Sequence, residues 1–158
     1  MRALALLVLM LAGPASAEIR DFDPAPLAAC VERGNAAGCA GSAARACMDA
    51  SPAGHTTLGI NGCLDAELGW WDDLLNTRYG QAIAAARRQD AAARQAGLDQ
   101  PSVEAALRAM QRTWIVFHDA SCDYAALQWW GGTGASGAYL GCRLNLTAEQ
   151  ALRLGGAE

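Results

Sequence analysis

The apolar residues Val103, Leu107, Met110, Trp114 and Phe117 follow one another in steps of four, three, four and three, and Tyr124 stands seven further on. This spacing constrains the fold more than any other feature of the chain. It is the seam of an amphipathic helix packed lengthwise on a partner, and it is incompatible with the two-residue period of a strand. A second stripe, Leu64, Leu68, Trp71 and Leu75, has four-three-four steps. Cys63 precedes the first helix and Cys122 lies late in the second. The expectation is an all-α fold: an antiparallel two-helix hairpin with short capping helices, stapled by disulfides.

The chain opens with Arg2, an apolar run from Ala3 to Ala12, and then Gly13-Pro14-Ala15-Ser16-Ala17. A cation, a short hydrophobic segment and an Ala-x-Ala site read as a cleavable secretory signal over residues 1–17. Ten apolar residues span roughly 15 Å as helix, about half of what a bilayer needs. Cys30, the first cysteine, lies too far downstream for lipid attachment. The expected location is therefore periplasmic or secreted. Beyond the signal, residues 18–46 read as a disulfide-stapled extension and residues 47–158 as the main helical domain.

Six cysteines in an exported chain favour three disulfides. No Cys-x-x-Cys is present, and His55 and His118 lack ligand spacing to any cysteine, so neither a redox motif nor a metal site is expected. Pairing by sequence neighbourhood gives Cys30–Cys39, Cys47–Cys63 and Cys122–Cys142, each clamping an irregular segment to a helix end. No cofactor motif is visible. The Gly131-Gly132-Thr133-Gly134 run follows a helix rather than a strand, which speaks against a phosphate-cradling loop.

All 12 cations are arginines, set against 16 acids. Removing residues 1–17 takes away Arg2 alone, so 11 cations remain and the net charge moves from -4 to -5. Such a balance speaks against nucleic acid or an anionic membrane surface as partner, since both require clustered cations. It favours a cationic protein partner.

Taken in order, Asp23-Pro24 opens a short helix, Ser42–Ala50 forms a second, and His55–Gly62 reads as loop with His55 solvated. The first long helix is expected from about Cys63, with Asn61 as N-cap, to Ala96, where Gly97 stops it. Its distal half is rich in alanine, arginine and glutamine and is expected to project and fray. The second long helix starts at Val103 and ends near Trp130. Thr147-Ala148-Glu149-Gln150 reads as a capping box opening a last short helix.

Trp71, Trp114 and Phe117 lie on the seams and are read as core. Asn76, one residue past a seam position, is expected to bond across the hairpin, while Asp72 and Asp73 belong to a solvated face. His118 and Asp119 resemble an acid–base pair, but neighbours on a helix point about 100° apart and are not expected to meet. No catalytic constellation is expected. Trp129 and Trp130 beside Gly131, Gly132 and Thr133 are the best candidates for exposed interface anchors, with burial over the open end of the hairpin the alternative, on a segment whose ends the Cys122–Cys142 bridge would fix.

Several of these residues also carry a resemblance. Cys63-Leu64-Asp65-x-Glu67 followed by Trp71-Asp72-x-x-Leu75-Asn76-x-x-Tyr79 is similar to the first half of the LprI-type lysozyme inhibitor pattern. Gln111-Arg112-x-Trp114-Ile115-x-Phe117-x-Asp119-Ala120-x-Cys122, then Gly131-Gly132-Thr133 and Cys142 ahead of Thr147, resembles the second. The likeness covers about residues 47–154. It implies a small, helical, disulfide-bearing envelope or secreted domain, structural roles for Asn76, Tyr79, Trp114 and Asp119, and inhibition of a lysozyme. His118 and Gln150 stand where the family usually has arginine, which alters any arginine network around Asp119. Two readings follow: a binding protein that blocks a cationic muramidase through the tryptophan loop or the Asp72–Asp73 face, or a non-catalytic envelope module with another protein partner.

Overall fold

The computed structural model describes residues 22–33 and 38–156, so the signal-like segment lies outside the described residues. The described residues are all helical apart from turns: α1 (Ala25–Glu32), α2 (Ser42–Ala50), α3 (Thr57–Gln95), α4 (Val103–Leu127) and α5 (Ala135–Leu154). Three disulfides join Cys30 to Cys39, Cys47 to Cys63 and Cys122 to Cys142, the pairing that sequence neighbourhood suggests. The second ties α2 to α3 and the third ties α4 to α5, so both join helix to helix rather than loop to helix. Closing 15 residues, the Cys47–Cys63 bridge is worth roughly 3 kcal/mol in the chain-entropy model.

The 39-residue α3 is the spine, roughly 58 Å long. Its N-cap is Thr56, whose hydroxyl accepts the Gly59 N–H at 3.1 Å, so the helix begins inside the stretch expected as loop at 55–62. Gly59 is the reason. Any Cβ there would overlap the carbonyl of Ala53, so this glycine lets the helix start against the preceding turn and does not break it. Asn61 is accordingly no N-cap; its amide donates to Ser136 Oγ on α5 at 2.8 Å.

The core also departs from a simple hairpin. Trp71 and Leu75 of α3 are buried with Leu144, Ala148, Ala151 and Leu152 of α5, and Leu27, Cys39 and Ala43 close the same cluster from the N-terminal side. The partner of the Leu64–Leu75 stripe is therefore α5 rather than α4. The capping box at Thr147 lies inside α5, where Thr147 and Gln150 are both buried. The expected seam of α4 is turned outward in consequence. Val103, Met110, Phe117 and Tyr124 are exposed, Phe117 by 57% and Tyr124 by 66%, whereas Gln111, His118 and Cys122 face inward and Trp114 packs half-buried on the core.

Polar pairs line the α4–α5 contact. Gln150 Nε2 donates to Gln111 Oε1 at 2.9 Å, and His118 Nε2 lies 3.4 Å from Thr147 Oγ1. Every buried polar group needs such a partner, so this seam fixes one register between the two helices.

Three charged residues of α3 pin the ends of other helices. Glu67, fully buried, accepts the N–H groups of Gly41 and Ala44 at 2.6 Å each, capping α2 from a neighbouring element, and also accepts Trp71 Nε1 at 3.0 Å. Asp90 accepts Ser102 Oγ at 2.6 Å, Val103 N–H at 2.8 Å and Glu104 N–H at 3.2 Å at the start of α4. Arg78 donates to the Ala151 carbonyl at 2.9 Å near the end of α5. Acids meet N-termini and the arginine meets a C-terminus, as the helix dipoles favour. The distal half of α3 is thus held rather than projecting: Ile83, Ala86, Asp90 and Ala93 are all buried. The Ser102 hydroxyl, then the Val103 amide, hold the Asp90 carboxyl below its ordinary value.

Candidate functional site

The α4–α5 turn carries Trp130, the most exposed large hydrophobic residue among those described. α4 ends at Leu127, and Trp129 N–H and Trp130 N–H close it onto the carbonyls of Ala126 and Leu127, each at 3.1 Å. Gly132 N–H then donates to the Trp129 carbonyl at 2.7 Å, and Ala135 N–H to Gly132 at 3.0 Å. By Ala135 the chain is helical again. The segment from Trp129 to Cys142 is therefore a tight turn followed by two turns of α5, not the long glycine loop expected between the bridged cysteines. The glycine-rich composition misled because Gly137 and Gly141 lie within a helix, Gly137 where α5 crosses Ile60 and Asn61.

Within the turn the two tryptophans differ. The indole of Trp129 lies directly on Gly134, where a Cβ would overlap its six-membered ring, so only glycine leaves room for it. Trp129 is 53% exposed and works as a strut. Trp130 is 96% exposed, and its φ of +49° makes it the one non-glycine residue in left-handed backbone among the described residues. That conformation costs a bulky side chain about 1–2 kcal/mol. A fully solvated aromatic side chain in strained backbone gains nothing from the fold to offset this, and such outliers gather at functional sites. Gly131 and Gly132 flank it, and Thr133 is exposed beside them. Asp123, Ala126, Leu127, Gly131 and Ala135 line a shallow depression of about 410 Å³ at the base of the turn. The Cys122–Cys142 bridge ties the two helices behind it.

The other candidates lie elsewhere. Asp72 and Asp73 are exposed on the solvent face of α3, roughly 16 Å along that helix from Asn61, which adjoins the turn, so the structure does not gather them with the tryptophans. Asn76 donates to Asp72 Oδ2 at 3.0 Å within its own helix instead of bonding across a hairpin, because its face looks to solvent. Tyr79 and Trp114 are half-buried. His55, solvated as expected, lies 3.2 Å from Asp49.

His118 and Asp119 do meet, contrary to expectation: Nδ1 and Oδ1 are 2.9 Å apart. Their Cβ directions diverge, but both side chains are long enough to converge at the edge of the α4–α5 contact. With Thr147 on the other ring nitrogen and the Trp114 ring tilted against it at 4.9 Å, the order hydroxyl, imidazole, carboxylate is that of a nucleophilic triad. Thr147 is 3% exposed and His118 4%, so a substrate has no approach to the hydroxyl and the group serves the helix contact. His118 and Gln150, the two departures from the family pattern, both lie on this contact. Sequence reasoning missed the seating of Trp129 on Gly134, because nothing distinguishes Gly134 from Gly131, Gly132, Gly137 and Gly141 until the indole is placed.

A family model described as lysozyme inhibitor LprI matches residues 47–154. An uncharacterized 17.7 kDa protein in the puhA 5' region of Rhodobacter capsulatus is 29% identical over 121 residues, which span 73% of this chain and 72% of that one. No solved structure matches.

Proposed function

This chain belongs to the LprI lysozyme inhibitor family, and from that premise we propose that it is an exported binding protein that blocks a cationic lysozyme by seating the Trp129–Trp130 turn across the substrate cleft. The single observation that carries this reading is Trp130, 96% exposed and held in left-handed backbone at the tip of a turn. Three disulfides fit an oxidising compartment, and among the described residues no helix is long and apolar enough to cross a membrane.

A lysozyme needs one carboxyl group kept protonated, one carboxylate, and an open groove along which the glycan enters. Blocking that groove requires no chemistry from the inhibitor. It requires an anchor that fits a pocket and a support that does not have to be ordered on binding. Trp130 is such an anchor, flanked by Gly131 and Gly132, which let the two backbones approach. Trp129 on Gly134 and the bridge behind are the support, and fixing them beforehand lowers the ordering cost of the complex. The acidic surface, including Asp72 and Asp73, speeds encounter with a cationic enzyme while contributing little to the lifetime of the complex.

Clearing of a cell-wall suspension by lysozyme, followed by turbidity with and without the purified protein, is the test. Wild type slows clearing, and Trp130→Ala weakens inhibition by about 100-fold through faster dissociation, the usual effect of truncating a central tryptophan. Added salt slows association and leaves dissociation nearly unchanged. A folded Trp130→Ala variant that inhibits normally removes the turn from consideration and directs attention to Asp72 and Asp73. A wild type without effect on any lysozyme leaves an envelope module with another partner.

A further inference from the structure

Among the described residues the outward stripe of α4 has no partner. Val103, Met110, Phe117 and Tyr124 recur at every seventh residue, all exposed, from 36% at Met110 to 66% at Tyr124. Between them on the same face stand Ala106, Thr113, Ala120 and Leu127, three to the C-terminal side of each, and all are exposed. No charged residue occupies either set. A strict seven-residue repeat drifts around a straight helix by about 20° per heptad and stays in contact only with a second helix wound around it. The inward face of α4, by contrast, is mixed polar and apolar. The two faces of this helix are built for different partners.

We propose that the outward face binds a second copy of the chain, α4 lying antiparallel on α4 about a two-fold axis near Ile115. Under that axis the layers match large against small. Phe117 of one copy faces Thr113 of the other, Tyr124 faces Ala106, Met110 faces Ala120, and Val103 faces Leu127. A parallel pairing would set Phe117 against Phe117 and Tyr124 against Tyr124, and leave the alanine layers empty. Val116, 70% exposed, flanks the seam at the axis and meets its own counterpart there. From their fractional exposures the apolar side chains of this face offer up to roughly 700 Å² per copy, or about 1,400 Å² together when fully covered, within the range of specific stable interfaces. The interface is isologous, so it closes on itself and does not propagate.

This pairing is independent of the inhibitory turn and compatible with it. Trp130 lies fifteen residues from the axis, so the two copies of it stand about 45 Å apart at opposite ends of the paired helices.

Sedimentation equilibrium on the protein purified from the periplasm of an expression host, from about 1 to 100 μM, tests the proposal. The expected result is a dimer mass with a Kd near or below about 1 μM, raised at least about 100-fold by Phe117→Asp. Thr113→Arg, at a solvent-facing position in the same layer, provides the second variant and should do likewise with an unchanged helical spectrum. A benzoyl-phenylalanine placed at Tyr124 should cross-link to the peptide containing Ala106 of the other copy. A wild type that stays monomeric at the highest concentration overturns the proposal. So does a dimer that both variants leave intact, or a cross-link from position 124 to its own counterpart. Inhibition of lysozyme lost in Phe117→Asp while wild type is monomeric would hand this face to the enzyme instead.

Discussion

Replacing Glu67 by glutamine changes one atom and tests how the N-terminal part is held. The carboxylate is wholly buried, with Oε1 accepting from Gly41 N–H at 2.6 Å and Trp71 Nε1 at 3.0 Å, and Oε2 from Ala44 N–H at 2.6 Å. Glutamine has one acceptor oxygen. Placed toward Gly41 and Trp71, it keeps two weakened bonds and sets its NH₂ against the Ala44 N–H, donor to donor. One charge-assisted bond, about 1.5–3 kcal/mol, is lost, and two buried donors are left without partners; these effects overlap, giving a net cost of about 3 kcal/mol. At about 3–5 °C per kcal/mol for a chain of this size, the midpoint of thermal unfolding should fall by about 10 °C. Circular dichroism at 222 nm on oxidised protein reads the midpoint. Hydrogen exchange should show the Ala44 amide opening at least about 10-fold more often while amides in the middle of α3 follow only the global change. A midpoint within about 2 °C of wild type refutes the reasoning, because water would then be serving α2 as well as Glu67 does.

Gly134→Ala should expel the Trp129 indole from its seat, seen as a red-shifted tryptophan emission and a loss of inhibition with little change in thermal midpoint, since the turn is exposed. Trp71→Ala should cost about 3–5 kcal/mol in urea unfolding, whereas half-buried Trp114→Ala should cost about half as much. Asp90 holds its proton less tightly in the folded chain than in the unfolded one, so its stabilisation is complete above the ordinary carboxyl value near 4 and is lost as pH falls below it through the folded value. Glu104, held low by Arg87 first and Arg108 second, acts in the same direction. Acid titration of stability should therefore show a steeper loss below pH about 4 in wild type than in Asp90→Asn.

Local features were legible in the sequence and paired ones were not. Asp23-Pro24 marks the start of α1, where Asp23 Oδ1 accepts the Ala25 N–H at 2.9 Å, and the three disulfides follow neighbourhood because each closes a short loop. The face of α4 that packs inward escaped because its residues are Gln111, His118 and Cys122, which look like surface until Gln150, Thr147 and Cys142 are placed opposite them. The seven-residue repeat then drew the seam to the outer face. The repeat itself was real; its partner was assigned wrongly. The length of α5 escaped for a related reason, because Gly137 and Gly141 weaken a helix in isolation and only the crossing with α3 shows why Gly137 is tolerated. Of the candidate site, Trp129 and Trp130 were legible as aromatics beside glycines. The left-handed backbone of Trp130 was not, since nothing in its side chain favours that conformation.

Glu67, Arg78 and Asp90 make α3 a ruler with three marks, each read by the end of a different helix. Adding one residue between two marks would swing the later one through about 100° and slide it by about 1.5 Å, away from the amides or carbonyl it meets. The alanine-rich stretch between Ala84 and Ala93 can therefore vary at its exposed positions provided Asp90 is kept and Ala86 and Ala93 stay small, but it cannot change length. In relatives that are longer or shorter, the difference should fall in the turn at 96–101 or before Thr56, and α3 should keep the same count from one mark to the next.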